Sequence, residues 1–148
     1  KIDFTIIGFG PTGAFLAISL ATQYPTSQIR IIECKKQEEI ATPAHMRPFY
    51  AAHITKSAID SMKRNNCWRN VPARFDYRVT FRVLNENVIS FKNDSIQNCL
   101  VPQCFIEDAL RSRCFTLPNV EIEFETEFVS FENCSKQSNF NRIVKTKH

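Results

Sequence analysis

The three glycines of this chain stand at positions 8, 10 and 13, and this clustering limits the fold more than any other feature. A short apolar, β-branched run at residues 3–8 leads into them, and the apolar stretch that follows is ended by Pro25. With residues 28–33 as a second strand, the order is that of a compact βαβ unit. Because the chain has no other glycine, a glycine-rich composition cannot account for the spacing.

Each residue of this glycine loop has a physical reason to be there. Gly8 permits a tight turn off the strand, Gly10 lets a pyrophosphate approach the backbone, and Gly13 allows the helix to pack closely on the strand. Pro11 suits the opening turn of a helix, and Thr12 is expected to act through its backbone amide. The loop therefore predicts a pyrophosphate at the helix N-terminus, where no lysine is needed to hold it.

An acid follows the second strand at the distance that this motif requires. Glu33 lies twenty residues beyond Gly13, where a carboxylate accepts hydrogen bonds from the adenosine ribose and disfavours a 2′-phosphate. The alternative is a solvated acid beside Lys35 and Lys36. Strand, loop, helix and acid together predict a site for the ADP part of a dinucleotide, with FAD favoured. NAD binding by an unrelated two-domain oxidoreductase stays open.

The rest of the chain predicts an α/β, Rossmann-like domain with a parallel sheet and an added antiparallel hairpin. We expect Phe15, Leu16, Ile18 and Leu20 to pack the first helix. We further expect a loop over residues 34–45 and a helix from Ala52 to Arg64 with Trp68 over its apolar face. A hairpin insertion is expected at about 76–92, with its turn at 85–87. After it we expect a helix over 104–115, a strand at 120–124 beside strand two, and strands at 127–131 and 141–145.

Composition indicates one globular domain over residues 1–148, with 43% hydrophobic residues and a net charge of +4. The basic residues are scattered among acids, so no nucleic-acid surface is expected. Six cysteines without a CxxC pair indicate no metal site and a reducing, cytoplasmic setting, the alternative being three disulfides in a secreted protein. No apolar run is long enough to span a membrane, and peripheral membrane contact stays open.

Several segments in order carry a family resemblance. They are GFGPTG, IIE, an arginine in a loop before a helix that ends near Cys67-Trp68, LVPQCFIEDAL and LPNVEIEF. With these segments the chain resembles the amino-terminal part of FAD-dependent aromatic hydroxylases. Within that family the chain is most similar to the ubiquinone-biosynthesis hydroxylases, which are akin to p-hydroxybenzoate hydroxylase. The similarity extends over residues 1–125.

The resemblance implies a flavoprotein monooxygenase with FAD as cofactor, NAD(P)H as electron donor and an aromatic or quinone-precursor substrate. It assigns the glycine loop and Glu33 to the ADP part. It also places Arg47 near the flavin and makes Gln103, which opens a later helix, a contact to FAD. From the residues alone, Arg47 could be a solvated surface charge and Gln103 a helix cap.

The resemblance also implies a protein much longer than 148 residues. The later DG-containing segment, the GD motif and most of the substrate-covering sheet lie outside this sequence, so we expect an FAD-binding domain incomplete at its carboxyl end and inactive alone. No catalytic residue or metal ligand is assigned. The alternative is a non-catalytic, truncated relative that acts as a binding or assembly module. Strand one would be an open edge, which favours self-association or a protein partner there.

Overall fold

A computed structural model describes residues 2–43, 46–47, 50–75, 77–83, 86–93, 98–133 and 142–147. The chain forms two compact units. The first unit combines Lys1–Thr42 with Cys114–His148, and the second is Pro43–Arg113. The glycine loop and Glu33 belong to the first unit, and Arg47 and Gln103 to the second. A single FAD-binding domain over residues 1–148 stays a prediction.

Helices and strands alternate over residues 4–64, and two runs of three strands follow on either side of the last helix. The helices are α1 (Pro11–Gln23), α2 (Gln37–Ile40), α3 (Lys56–Arg64) and α4 (Gln103–Phe115). The strands are β1 (Phe4–Ile7), β2 (Ile29–Ile32), β3 (Ala51–Thr55), β4 (Tyr77–Val83), β5 (Glu86–Asn93), β6 (Asn98–Pro102), β7 (Val120–Glu123), β8 (Glu127–Asn133) and β9 (Arg142–Lys147).

A parallel sheet of order β1-β2-β7 forms the centre of the first unit. β1 pairs with β2 from Phe4↔Ile29 onward, and β7 pairs with the other side of β2 from Ile29↔Val120 onward. Both strands of the βαβ unit, and β7 beside β2, are confirmed. β2 is almost wholly buried, as a central parallel strand covered on both faces should be. β1 is an edge of this sheet.

α1 packs through small side chains. Its buried residues are Ala14, Ala17, Ile18 and Ala21. The sequence predicts that Phe15, Leu16, Ile18 and Leu20 pack this helix. The prediction is wrong for Leu16, which is 46% exposed, and Ile18 is the one of the four that is fully buried. Short side chains cover the inner face because the helix lies close to the strand at Gly13. As predicted, the helix ends before Pro25.

In the second unit, an antiparallel pair of strands replaces part of a predicted helix. Ala51–Thr55 forms β3 and pairs along its whole length with β6. The helix predicted from Ala52 begins instead at Lys56, with the Thr55 hydroxyl accepting a hydrogen bond from the Ala58 amide at 3.4 Å. The cross-strand bonds come from residues far along the chain, which a local apolar period does not reveal.

Two smaller predictions also need correction. The segment 34–45 is not a loop throughout, because α2 forms within it and buries Ile40. Its end at His45 lies outside the described residues. The hairpin of β4 and β5 is confirmed as antiparallel. However, β5 already begins at Glu86, so Glu86 and Asn87 are strand residues, and positions 84–85 lie outside the described residues.

The remaining carboxyl-terminal strands and the other helix agree with expectation. The predicted helix and the two predicted strands form as α4, β8 and β9, and β8 and β9 pair antiparallel, which the sequence did not indicate. Cys67, Cys99, Cys104 and Cys114 are buried free thiols, and Cys34 is an exposed one. No helix in the described part of the chain is long and apolar enough to cross a membrane.

Candidate functional site

The glycine loop has a geometry that requires glycine at two of its positions. Gly8 has φ +93°, a conformation that side-chain-bearing residues rarely take. A Cβ on Gly13 would overlap the carbonyl oxygen of Gly8 and stand 3.2 Å from its carbonyl carbon. Around a Cβ on Gly10, apart from its two chain neighbours, no atom of the described residues lies within 4 Å. Gly8 and Gly13 therefore fix the turn, while Gly10 borders open space.

Among the described residues, no side chain caps the N-terminus of α1. Gly10 is its N-cap and Pro11 its first residue, and the helix has no side-chain cap and no acid in its first turn. The first intrahelical bond runs from the Ala14 amide to the Gly10 carbonyl at 2.9 Å. The amides of Thr12 and Gly13 come before it and have no acceptor within the helix. These amides, with the positive end of the helix dipole, suit an anion.

Glu33 lies beside this loop with its carboxylate already oriented. Its side chain is 7% exposed. One carboxylate oxygen accepts the Phe9 amide at 2.7 Å, and the other accepts the Lys35 amide at 2.9 Å. The Cys34 thiol donates to that second oxygen at 3.5 Å. The reading of Glu33 as a solvated acid is wrong, since backbone groups hold it.

These contacts decide the charge state of Glu33. Burial raises the pKa of its carboxyl, but hydrogen bonds from the amides of Lys35 and Phe9, from the Cys34 thiol, and the charge of Lys35 outweigh it. The pKa therefore lies below the usual value for a glutamate. The same site raises the pKa of the Cys34 thiol, through desolvation and through the neighbouring carboxylate. Glu33 is an anion at neutral pH and an acceptor for hydroxyl donors.

Aromatic rings hold the Phe9 amide in place, a role that the sequence did not reveal. Phe9 is completely buried. Its ring packs edge-on against Phe115 at 5.8 Å and Phe124 at 6.2 Å between centroids. The Glu33 backbone is also fixed, by bonds with Glu123 and Thr126. The sequence feature that could have indicated this role is a bulky aromatic residue between two glycines of the loop. Exposure of such a side chain to water is unfavourable, so it is expected to be buried.

In the second unit, Arg47 is bound to the start of α4. Its guanidinium donates to Glu107 at 2.8 Å, to the Cys104 carbonyl at 2.9 Å and to Asp108. Its side chain is only 15% exposed. The interpretation of Arg47 as a solvated charge is therefore wrong. Gln103, exposed at the first position of α4, donates its side-chain amide to Glu107 at 2.9 Å.

Glu107 is thus a shared acceptor that sequence reasoning missed. Besides Gln103 and Arg47 it pairs with Arg111 at 3.3 Å. A carboxylate one helical turn after Gln103 was the available signal, because residues four apart lie on one helix face. Glu107 fixes the orientation of both second-unit residues that the resemblance singles out.

Comparison with known proteins finds structural neighbours only. A scan against protein-family models finds no match, and a search of curated proteins finds none either. Among solved structures, p-nitrophenol 4-monooxygenase PnpA from Pseudomonas putida matches 98% of this chain with a TM-score of 0.69 and 15% identity. PqsL, a probable FAD-dependent monooxygenase from Pseudomonas aeruginosa, matches 93% with a TM-score of 0.67 and 18% identity.

A third neighbour is the Diels-Alderase of the pyrroindomycin pathway, which matches 97% of this chain at a TM-score of 0.65 and 19% identity. The chain spans 36% of the length of PnpA and of PqsL and 28% of the Diels-Alderase. At such identities the likeness establishes the fold, which is the α/β fold with a Rossmann-like βαβ unit. Because one neighbour is a Diels-Alderase, the fold by itself does not determine the reaction.

Proposed function

We propose that this chain binds the ADP part of FAD and is the FAD-binding portion of a flavin-dependent monooxygenase. One observation carries the proposal: the turn from Gly8 to Gly13 places amides without an intrahelical acceptor at the start of α1, and the ionised Glu33 lies directly beside it, bonded to the Phe9 amide at 2.7 Å. An anion site next to a fixed hydroxyl acceptor suits a pyrophosphate followed by a ribose.

Each residue of the loop then has a task. The pyrophosphate would lie against the amides of Thr12 and Gly13, over the open space at Gly10. Pro11 fixes the backbone at the first helical position, and Gly8 makes the turn. Glu33 would accept the ribose hydroxyls, and its negative charge would repel a 2′-phosphate.

FAD is favoured over NAD because PqsL is described as a probable FAD-dependent monooxygenase and the motif order resembles FAD-dependent hydroxylases. Arg47 and Gln103 remain proposed FAD contacts, held by Glu107. NAD(P)H as electron donor, an aromatic or quinone-precursor substrate and a place in ubiquinone biosynthesis rest on the resemblance.

A bound flavin would supply the redox chemistry, while the residues of this chain bind and orient the cofactor. We propose that these 148 residues do not hydroxylate a substrate by themselves. They span about a third of PnpA and PqsL, and the site built by Gly8–Gly13 and Glu33 contains binding groups for a nucleotide rather than a proton-transfer or nucleophilic pair.

Gly10→Glu is expected to weaken FAD binding at least ten-fold. The open space at Gly10 and its φ of −74° admit a larger side chain without a clash, but the new carboxylate would stand where the pyrophosphate lies. Two unit charges about 4 Å apart near a protein surface repel by roughly 4 kcal/mol before salt screening. Titration of the parent and the variant with FAD, followed by flavin fluorescence, measures the ratio.

Thr26→Glu provides the matched control, because it adds the same charge at an exposed position in the turn before β2. ADP should compete with FAD and FMN should not, since the site is proposed for the ADP part. Saturable binding of NAD but not of FAD would favour the NAD alternative. Equal FAD binding by parent and Gly10→Glu would contradict the site.

We also propose that β1 mediates self-association with a second copy of the chain. The Phe4 amide donates to the Gln28 carbonyl at 3.2 Å and the Gly8 amide to the Ile32 carbonyl at 2.8 Å, so by strand alternation the amides of Thr5 and Ile7 point to the open edge. Ile7 is 44% exposed there. Edge strands of this kind pair readily with other chains.

Light scattering over a concentration series should therefore show reversible growth in mass. Thr5→Pro, which removes an outward amide, should reduce it, whereas Thr5→Val should not. A parent chain that stays strictly monomeric at high concentration would disprove this role of the edge.

A further inference from the structure

The segment after the middle of α3 is strongly basic. Residues 61–75 contain Lys63, Arg64, Arg69 and Arg74 and no acid. This one segment carries as much positive charge as the net +4 of the entire chain. Residues 133–148 carry the same number of basic residues and no acid, so the segment 61–75 is one of two such basic runs, and it is the one that lies in the second unit.

Part of this segment forms a cleft. Lys63, Asn66, Trp68 and Arg69 line a cavity of about 440 Å³. The cleft is wide open to solvent, so a ligand there would be bound on one side rather than enclosed. The wall combines two cations, one side-chain amide and the indole of the only tryptophan in the chain. Trp68 therefore does not simply cover the apolar face of α3, as the sequence suggested, but is partly exposed in this cleft.

The backbone of the cleft is fixed before any ligand binds. The Cys67 amide donates to the Met62 carbonyl at 2.8 Å, and the Asn66 amide donates to the Lys63 carbonyl at 3.0 Å. Asn66 has φ 58°, the left-handed conformation that ends many helices. Cys67 is buried at 2% exposure. These two hydrogen bonds and the buried cysteine fix the backbone that carries the cleft residues. Ligand binding would therefore cost little conformational entropy of the backbone.

A structural explanation accounts for only some of these charges. Cations in the last turn of a helix interact favourably with its dipole, which covers Lys63 and Arg64. Arg69 lies beyond the last turn of the helix, where the helix dipole no longer stabilises a positive charge. Asp60, the only acid on α3, pairs with Lys56 at 2.5 Å and also interacts electrostatically with Lys63 and Arg64, so Arg69 is the cleft cation that this helix does not account for. Two full charges on Lys63 and Arg69 also outweigh the half charge of opposite sign at the helix end.

We infer that this cleft is a second ligand site, for a nucleoside monophosphate. The base would stack on the Trp68 indole, and the phosphate dianion would lie between Lys63 and Arg69, whose combined charge matches it. The Asn66 side-chain amide can donate to the phosphate or to the base. The site is independent of the proposed ADP site, which is built from the first unit.

The test uses the single tryptophan as a reporter. The indole N–H of Trp68 gives one unambiguous NMR signal, which is followed while AMP is added at constant ionic strength. We expect a saturable shift, with affinity at least ten-fold lower in Lys63→Gln and in Arg69→Gln. Lys147→Gln, an exposed charge removal in β9, should leave the affinity unchanged.

Gly10→Glu separates this site from the glycine loop. If AMP shifts Trp68 equally in Gly10→Glu and in the parent, the cleft site stands whatever FAD does. If Gly10→Glu abolishes the shift, AMP binds at the glycine loop and the cleft site is disproved. Adenosine or inorganic phosphate binding as tightly as AMP would also overturn the proposal, as would the absence of a saturable shift.

Discussion

Gly13→Ala is expected to destabilise the first unit by about 3 kcal/mol or more. A new Cβ there overlaps the backbone carbonyl oxygen of Gly8 and lies 3.4 Å from the Ile6 side chain. Overpacking in a dense core usually costs roughly 1–3 kcal/mol, and here the obstacle is backbone that cannot rotate away. Alanine otherwise favours a helix by about 1 kcal/mol over glycine, so the observed loss understates the clash. Urea denaturation followed by circular dichroism measures the difference.

Gly10→Ala is the matched control. It adds the same methyl group three residues earlier, at φ −74° with no atom within 4 Å. Its stability should stay within about 1 kcal/mol of the parent, because the only expected cost is a poorer N-cap. If both alanine variants unfold at the same urea concentration as the parent, the close approach of α1 to β1 is not a feature of the folded protein.

The parallel core could be predicted because its signals are local. A few neighbouring residues are enough to predict each of its elements. The β-branched runs predict β1 and β2, the glycines between them predict the turn, and Pro25 predicts the end of α1. β7 followed from a short strand pattern after a helix, as βαβ topology requires. The positive φ of Gly8 and the lack of room for a Cβ at Gly13 are what the glycine spacing implies.

The second unit was harder to predict because its structure depends on distant partners. β3 pairs with β6 through residues such as Ile54 and Cys99, and nothing near Ile54 indicates this pairing. Its apolar spacing also continues into α3, so the pattern resembled one longer helix. Tertiary hydrogen bonding decided between the two states, as it commonly does for short apolar segments.

Side-chain partnerships were less predictable still. The family resemblance singled out Arg47 as an arginine in a loop, but its bonding partners, Glu107 and Asp108 on α4, could not be predicted. Glu33 was correctly placed beside the loop, but the Phe9 amide that holds it is identified only once Phe9 is known to be buried. For Arg47 and Glu33 the sequence indicated the residue, whereas packing determines which atoms bond to it.

Glu33→Gln is expected to lower the unfolding free energy at neutral pH by about 2 kcal/mol and to weaken FAD binding at least ten-fold. The carboxylate accepts two backbone amides, from Phe9 and Lys35, and a glutamine can accept only one while its NH₂ group faces the other. Hydrogen bonds to charged groups contribute roughly 1.5–3 kcal/mol each. Urea denaturation and FAD titration measure the two effects, and Glu39→Gln, at an exposed position of α2, is the control.

The stability difference between the parent and Glu33→Gln should depend on pH in a defined direction. Because the folded state lowers the pKa of Glu33, its stabilising contribution is complete above the ordinary pKa of a glutamate. The contribution is lost as the pH falls through the lower folded-state value, since the carboxyl must then be protonated in both states. The gap between parent and variant should therefore be widest near neutral pH and close in acid. A gap that is constant with pH would mean that the carboxylate charge does not hold the loop, and the ribose acceptor would have to be sought elsewhere.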